Sequence, residues 1–294
     1  MLVEEKERLD WNRERVGLVL RVYARKEEQI PESAEEIETI ITKAKTMNYK
    51  GKPVFGRIDV MVWNDNRYTD SDCGKTYDYL ESKWRNASGV FINNFTRGDL
   101  YCEILNKAIG IQVRNRIDYS MILSYQALSY FNEETVIEML KAAEEGALAI
   151  GVGINELSYS IMKEGRIANT FAMWHNLSLI QEGLFDIRAA KNIDPSLSIT
   201  IEGANGAKYL LHGVEETISL ARLVSRFGEC IAPIRPQGEG FKEYKVPDPE
   251  KNPEGFERHM GKMGTKKERQ DGFLILAGYA LNIIRSGIMK KYRS

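Results

Sequence analysis

Cysteine is scarce in this chain, with three residues, Cys73, Cys102 and Cys230, spread over 294 positions. They form no C-x-x-C pair, so a disulfide framework or a cysteine-rich zinc site is excluded, and the usage fits a reducing compartment. Excess charge of one sign is also missing. Lys and Arg number 41 against 42 Asp and Glu, a formal net charge of −1. A protein that grips nucleic acid by covering phosphates needs a basic surplus, and a disordered tail needs a lopsided one. No uncharged apolar run reaches the roughly 18 residues that begin to suffice for a membrane span, and the start MLVEEKERLDWNRER has no apolar signal-peptide core. The expected location is the cytoplasm. What remains, 43% hydrophobic and 28% charged residues, is the composition of a globular protein with a sizeable core.

Hydrophobic periodicity predicts an α/β architecture. Short apolar runs at Val16 to Ala24, Ile58 to Trp63, Gly89 to Asn93, Tyr119 to Leu123 and Ala147 to Ile154 read as strands buried on both faces. Amphipathic segments lie between them. Pro31 suits the first turn of a helix whose Ile37, Ile40, Ile41 and Ala44 share one face. Further helices are expected at Thr76 to Arg85, Asp99 to Ile111, Glu133 to Glu145, Asn176 to Glu182 and Val214 to Phe227. Strand alternating with helix predicts a mostly parallel sheet with crossover helices. Residues 1–234 are expected to form the main domain. Residues 235–294 read as a charged loop to about Gln270 and a closing helix from Phe273 to Met289, part of the same domain or a lid over it.

In an open parallel sheet, ligands bind beyond the carboxyl ends of the strands. Arg21, Tyr23 and Arg25 close the first strand, and Asp65 and Lys75 belong to the polar stretch after the second. Cations there suit phosphate, and a carboxylate suits the N–H edge of a base, although a polar loop after a strand needs no ligand to explain it. No G-x-G-x-x-G follows the first strand. The Gly74-Lys75-Thr76 triplet lacks the earlier glycine of a phosphate-binding loop, because Thr69 stands in its place. A Rossmann dehydrogenase, a P-loop nucleotidase and, for want of H-E-x-x-H, a zinc hydrolase are disfavoured. A nucleotidyltransferase is disfavoured too, since no Gly-rich basic loop follows strand one.

From Val16 to Ile234 the order of motifs resembles a family-2-type glycosyltransferase of the GT-A fold. The resemblance is carried by GLVLRVYAR at strand one, Asn64-Asp65 after strand two and Leu105-Asn-Lys-Ala-Ile-Gly110 running to Ile117-Asp-Tyr-Ser. It continues in Gly183-Leu-Phe-Asp186 and in Gly213-Val-Glu-Glu216 with Arg222 downstream. It implies a GT-A-like sheet and inverting transfer from a nucleotide sugar to an unidentified acceptor. Arg21, Tyr23, Arg25, Asp65 and Lys75 would hold the nucleotide, and Trp174 and His175 the sugar or acceptor. Glu215 or Glu216 would be the base, with Asp186 the second candidate. Carboxylates at a helix start also simply complement its dipole. The resemblance further implies Mg²⁺ or Mn²⁺ on an Asp-x-Asp, but Ser124-Tyr125-Gln126 stands there. Three explanations follow: Lys or Arg replaces the metal, another carboxylate (Asp65, Asp70, Asp72 or Glu156) supplies it, or the chain is a catalytically silent nucleotide-sugar-binding or assembly protein. The basic segment Lys262 to Arg269, with His259 just before it, reads as a solvated face or a phosphate-capturing flap.

Overall fold

The computed structural model describes residues 10, 15–22, 30–63, 73–95, 101–153, 159, 162–164, 167, 169–189, 198–203, 205–236, 248–250, 253, 256–257, 260 and 265–293. The strands are β1 (Val16–Val22), β2 (Asn48–Tyr49), β3 (Lys52–Pro53), β4 (Phe55–Trp63), β5 (Val90–Phe95) and β6 (Tyr119–Ser124), followed by β7 (Ala149–Val152), β8 (Phe171–His175), β9 (Thr200–Glu202), β10 (Lys208–Leu210) and β11 (Ile231–Ile234). The helices described from end to end are α1 (Ile30–Thr46), α2 (Cys73–Trp84), α3 (Tyr101–Arg114), α4 (Glu133–Glu144), α5 (Asn176–Gln181), α6 (Glu216–Phe227), α7 (Lys266–Leu276) and α8 (Ile283–Ser286).

Seven strands form one sheet in the order β11-β7-β8-β6-β1-β4-β5. β1 runs parallel to β4 and β6, β4 to β5, and β11 to β7, while β8 is antiparallel to both β6 and β7. The expected mostly parallel sheet flanked by helices is therefore present. Its alternating side chains feed two cores. Leu18, Leu20 and Val22 join Ile37, Ile40 and Ile41 of α1 and Met139 and Leu140 of α4 on one face. Val19 and Met61 join Leu105 and Ile109 of α3 and Ile218 and Leu223 of α6 on the other. The four periodic residues of α1, Ile37, Ile40, Ile41 and Ala44, are all buried, so the pattern that predicts the helix is the face that binds it to the sheet.

A carboxylate lies inside this sheet. Asp59 is fully buried and accepts from Arg57 Nε and Nη2 at 2.6 and 2.9 Å, from Gln112 Nε2 at 2.6 Å and from Asn93 Nδ2 at 3.2 Å. These donors replace the water that burial removes, so the group is structural. Gln112 reaches Asp59 over Gly17, where a Cβ would sit 1.7 Å from Gln112 Oε1. A side chain at that point of β1 would push the Gln112 amide off Asp59.

Beyond the elements expected from the sequence, Phe171–His175 is a strand, β8, and β9 and β10 pair antiparallel. Two sequence expectations need correction. The charged loop after β11 ends earlier than Gln270, since α7 begins at Lys266. The closing helix is broken: Gly278, at φ +78°, leaves the helical region after Leu276, and α8 resumes only at Ile283. Among the described residues, no helix is long and apolar enough to cross a membrane.

Candidate functional site

The parallel strands set a carboxyl edge at Val22, Trp63, Ser124 and Val152. Because β8 runs the other way, its first residues lie at that same edge. Leu123 pairs with Phe171, and Ser124 N–H donates to the Thr170 carbonyl at 2.9 Å. Arg21 is in register with Ser124, and its Nη2 donates to the Asn169 carbonyl at 2.8 Å. Asn169 N–H in turn donates to Glu216 Oε1 at 2.9 Å, and Asn169 Oδ1 accepts from Trp174 Nε1 at 2.9 Å. One residue thus joins β1, β8 and the start of α6.

The resemblance places the base in Gly213-Val-Glu-Glu216, and both glutamates are found buried where α6 starts. Glu215 is 6% exposed and Glu216 4%. Glu216 Oε2 has no hydrogen-bond partner among the described residues. Both residues lie at the N-terminal, positive end of the α6 dipole. Arg269 of α7 adds a buried cation nearby. Burial pulls its pKa down, and the Glu215 and Glu268 carboxylates oppose that pull. Its Nη1 donates to the His212 carbonyl and its Nε to Thr265 O at 3.2 Å, which corrects the expectation that Arg269 belongs to a solvated face or a phosphate flap.

The turn at Gly183-Leu-Phe-Asp186 is held from two sides. Asn106 of α3 exchanges both side-chain hydrogen bonds with the Phe185 backbone, at 2.9 and 3.1 Å. Ser219 Oγ donates to Leu184 O at 2.6 Å and Arg222 Nη1 to Glu182 O at 2.8 Å. Gly183 and Leu184 both adopt positive φ, +88° and +61°. The turn is thereby fixed against α6, and Asp186 N–H donates to the Glu215 carbonyl at 3.2 Å. Burial pushes the Asp186 pKa up, but hydrogen bonds from the Arg188 side chain and backbone outweigh it, and the carboxyl ends below its ordinary range. A carboxylate so paired is a weak base. Cys102, at the start of α3, is fully buried, and its thiol pKa is pushed up first by burial and then by Glu215, Glu216 and Asp186. That order of causes places all three carboxylates in one neighbourhood.

Trp174 and His175, expected to contact the sugar or acceptor, are both buried. Trp174 is fully buried, with its ring 5.1 Å from Phe185 in an edge-on packing. His175 pairs with Tyr119 at the amino end of β6, the opposite edge of the sheet. Its Nδ1 lies 2.7 Å from Ser178 Oγ and its ring stacks obliquely on Tyr119. His212 is near the acid pair, but its Nδ1 faces the Leu210 carbonyl at 3.0 Å, so that nitrogen carries the proton. Tyr23, Arg25, Asp65, Asp70, Asp72, Glu156 and His259 lie outside the described residues, and Lys75 is in the first turn of α2. Asn169 was not anticipated, since its role rests mostly on main-chain groups.

Ser124 closes β6 where the resemblance expects metal-binding carboxylates. Among the described residues no group of three or more His, Cys, Asp or Glu is arranged to hold a metal ion. A hydroxyl at a strand end does not supply the hard anionic oxygens that Mg²⁺ or Mn²⁺ requires. The described residues do not fit a divalent cation, and no step is assigned to one. An open groove of about 560 Å³ borders Phe95 of β5 and Glu103, Asn106, Lys107, Gly110 and Arg114 of α3.

The fold and edge together define an α/β protein with a buried acid pair at the carboxyl end of a mostly parallel sheet. No protein-family model and no curated protein matches the chain. Among solved structures it is similar to glucosyl-3-phosphoglycerate synthase from Mycobacterium tuberculosis in complex with phosphoglyceric acid, at 11% identity over 94% of this chain and 81% of that chain, TM-score 0.45. It is similar to GalNAc-T7 with UDP, GalNAc and Mn²⁺ at 9% identity over 92% of this chain and 59% of that one, TM-score 0.44. A cytidylyltransferase from Leptospira borgpetersenii serovar Hardjo-bovis matches at 8% identity and TM-score 0.37, over 57% of this chain and 63% of its own, less than two-thirds of its length. Likeness of this degree assigns no substrate and no site residue to the chain.

Proposed function

We propose that the chain transfers a sugar from a nucleotide-sugar donor to an acceptor hydroxyl, with inversion, at the edge formed by Arg21, Asn169, Glu215 and Glu216. The observation that carries this reading is Glu216: nearly buried, held by Asn169 N–H through Oε1, and with Oε2 lacking a partner among the described residues. A carboxylate held through one oxygen, with its second oxygen buried and without a partner among the described residues, keeps an unused acceptor, which is what a general base needs. In the proposed step the acceptor O–H proton passes to Glu216 Oε2 as the acceptor oxygen bonds to the anomeric carbon. The bond from that carbon to the diphosphate breaks, and its electrons leave with the nucleoside diphosphate. Charge developing on the leaving group calls for a cation. Arg21 at the end of β1 is the described residue offered for it, with Lys75 and the undescribed Arg25 as further candidates.

A second reading keeps nucleotide-sugar binding and drops catalysis. Ser124 at the place of the expected metal ligands favours it. Incubation with UDP-, GDP-, CMP- and dTDP-sugars, with and without Mn²⁺, separates the two. Donor hydrolysis that Glu216→Gln abolishes supports the transferase, and thermal stabilisation without turnover supports the silent protein. Absence of both responses to every nucleotide rejects both readings.

A further inference from the structure

The chain from Gly272 to Ser294 contains four charged residues, Arg285, Lys290, Lys291 and Arg293, all cationic. From the last two residues of α7 to the start of α8 runs a stretch without any charge, Ile275-Leu-Ala-Gly-Tyr-Ala-Leu-Asn282. It is turned outward. Ile275 is 51% exposed, Leu276 59% and Leu281 47%. Single exposed aliphatic side chains need no explanation, but three within seven positions, around a turn forced by Gly278, make a projecting apolar knob. The knob is anchored from below, because Phe273, Leu274, Ile284 and Ile288 on either side are buried in the core. It is therefore a built feature of the surface, held in place by the residues that flank it.

We infer that this C-terminal turn docks the protein onto an anionic phospholipid surface. The charges that follow the knob in the chain select that occupant. Lys291 pairs with Glu145 at 2.5 Å and Arg293 with Glu229 at 2.8 Å, whereas Arg285 and the Lys290 ammonium are exposed and have no ion-pair partner among the described residues. Stable attachment to a membrane surface takes two signals, apolar side chains that enter the acyl boundary and cations that meet anionic headgroups. Both are present within sixteen residues, Ile275 to Lys290, together with the half-buried Tyr279, whose ring and hydroxyl suit the water–lipid boundary. A second copy of the chain is a poorer fit. A two-fold contact through the knob would bring Arg285 and Lys290 of both copies together, and like charges disfavour such a pairing.

The experiment is sedimentation of the full chain with vesicles of phosphatidylcholine alone and of phosphatidylcholine with phosphatidylglycerol. Wild-type protein is expected to partition at least about tenfold more strongly onto the anionic vesicles and to be released by high salt. Leu276→Ser with Leu281→Ser, and separately Arg285→Glu with Lys290→Glu, should each lower that partitioning about tenfold or more, with the thermal unfolding midpoint unchanged because all four side chains are exposed. Equal binding to both vesicle types, or binding to neither, overturns the inference. So does a dimer in solution that the Leu276→Ser, Leu281→Ser variant converts to monomer. None of these outcomes depends on sugar transfer.

Discussion

Asn169 N–H donates to Glu216 Oε1 at 2.9 Å, between residues that are 2% and 4% exposed. The bond fixes one carboxylate oxygen, and its twin is buried with no partner among the described residues. If that twin receives the acceptor proton, Glu216→Gln lowers turnover by about 10²–10⁴ while nucleotide-sugar binding changes little. Glu215→Gln, which removes no group from that contact, should have the smaller effect. Steady-state turnover alongside donor titration checks this, and an unimpaired Glu216→Gln enzyme excludes the assignment.

Trp174 is a strut for the same residue. Replacing it with Phe keeps most of the ring in the core but removes the donor to Asn169 Oδ1, which then remains buried without a partner. The expected loss is about 1–3 kcal/mol of stability, measured by urea unfolding. A Trp174→Phe protein as stable as wild type would mean that the hydrogen bond contributes nothing net.

Asp186 gives a pH dependence whose sign is fixed. Its folded pKa lies below the unfolded value because the Arg188 hydrogen bonds outweigh burial. The stabilisation is therefore present above the unfolded value, about 3.9, and is lost as pH falls through the lower, folded value. Wild type should exceed Asp186→Asn in stability near neutrality, and the gap should close on acidification below about pH 4. Denaturant midpoints for both proteins across that range decide it; a gap that widens on acidification contradicts the ion pair.

Cys102 is expected to be inert. Burial and the neighbouring carboxylates raise its thiol pKa, so the reactive thiolate is scarce at neutral pH. Cys230 is buried as well. Alkylation followed by mass spectrometry should leave both unmodified in the folded protein and label both in denaturant. Rapid labelling of Cys102 under native conditions would show that the acid cluster opens to solvent.

Helix periodicity was readable wherever a helix lies on the sheet, as Ile37, Ile40 and Ile41 show. β8 was not readable as a strand, because Phe171-Ala-Met-Trp-His175 is too short to show a period and its direction depends on pairing with β6 and β7. That direction also decides the fate of Trp174 and His175. Neighbours in sequence near the expected sugar site, they end in the core and at the far edge of the sheet. Motif order singles out Glu215 and Glu216 because it carries position along a chain. Asn169 was not, because its contacts with Arg21 and Glu216 use its carbonyl and N–H, groups that every residue but proline shares.

The reversed strand has a further consequence. β7 leaves the sheet at the carboxyl edge and β8 re-enters it there, so the connection 153–170 begins and ends at one edge and closes beside Glu216 at Asn169, unlike a crossover that must return to the opposite edge. Insertions or deletions within it need not alter the register of any strand. Evolution can lengthen or trim that one segment, and so change which molecules reach Glu216, while the folding of the sheet stays the same.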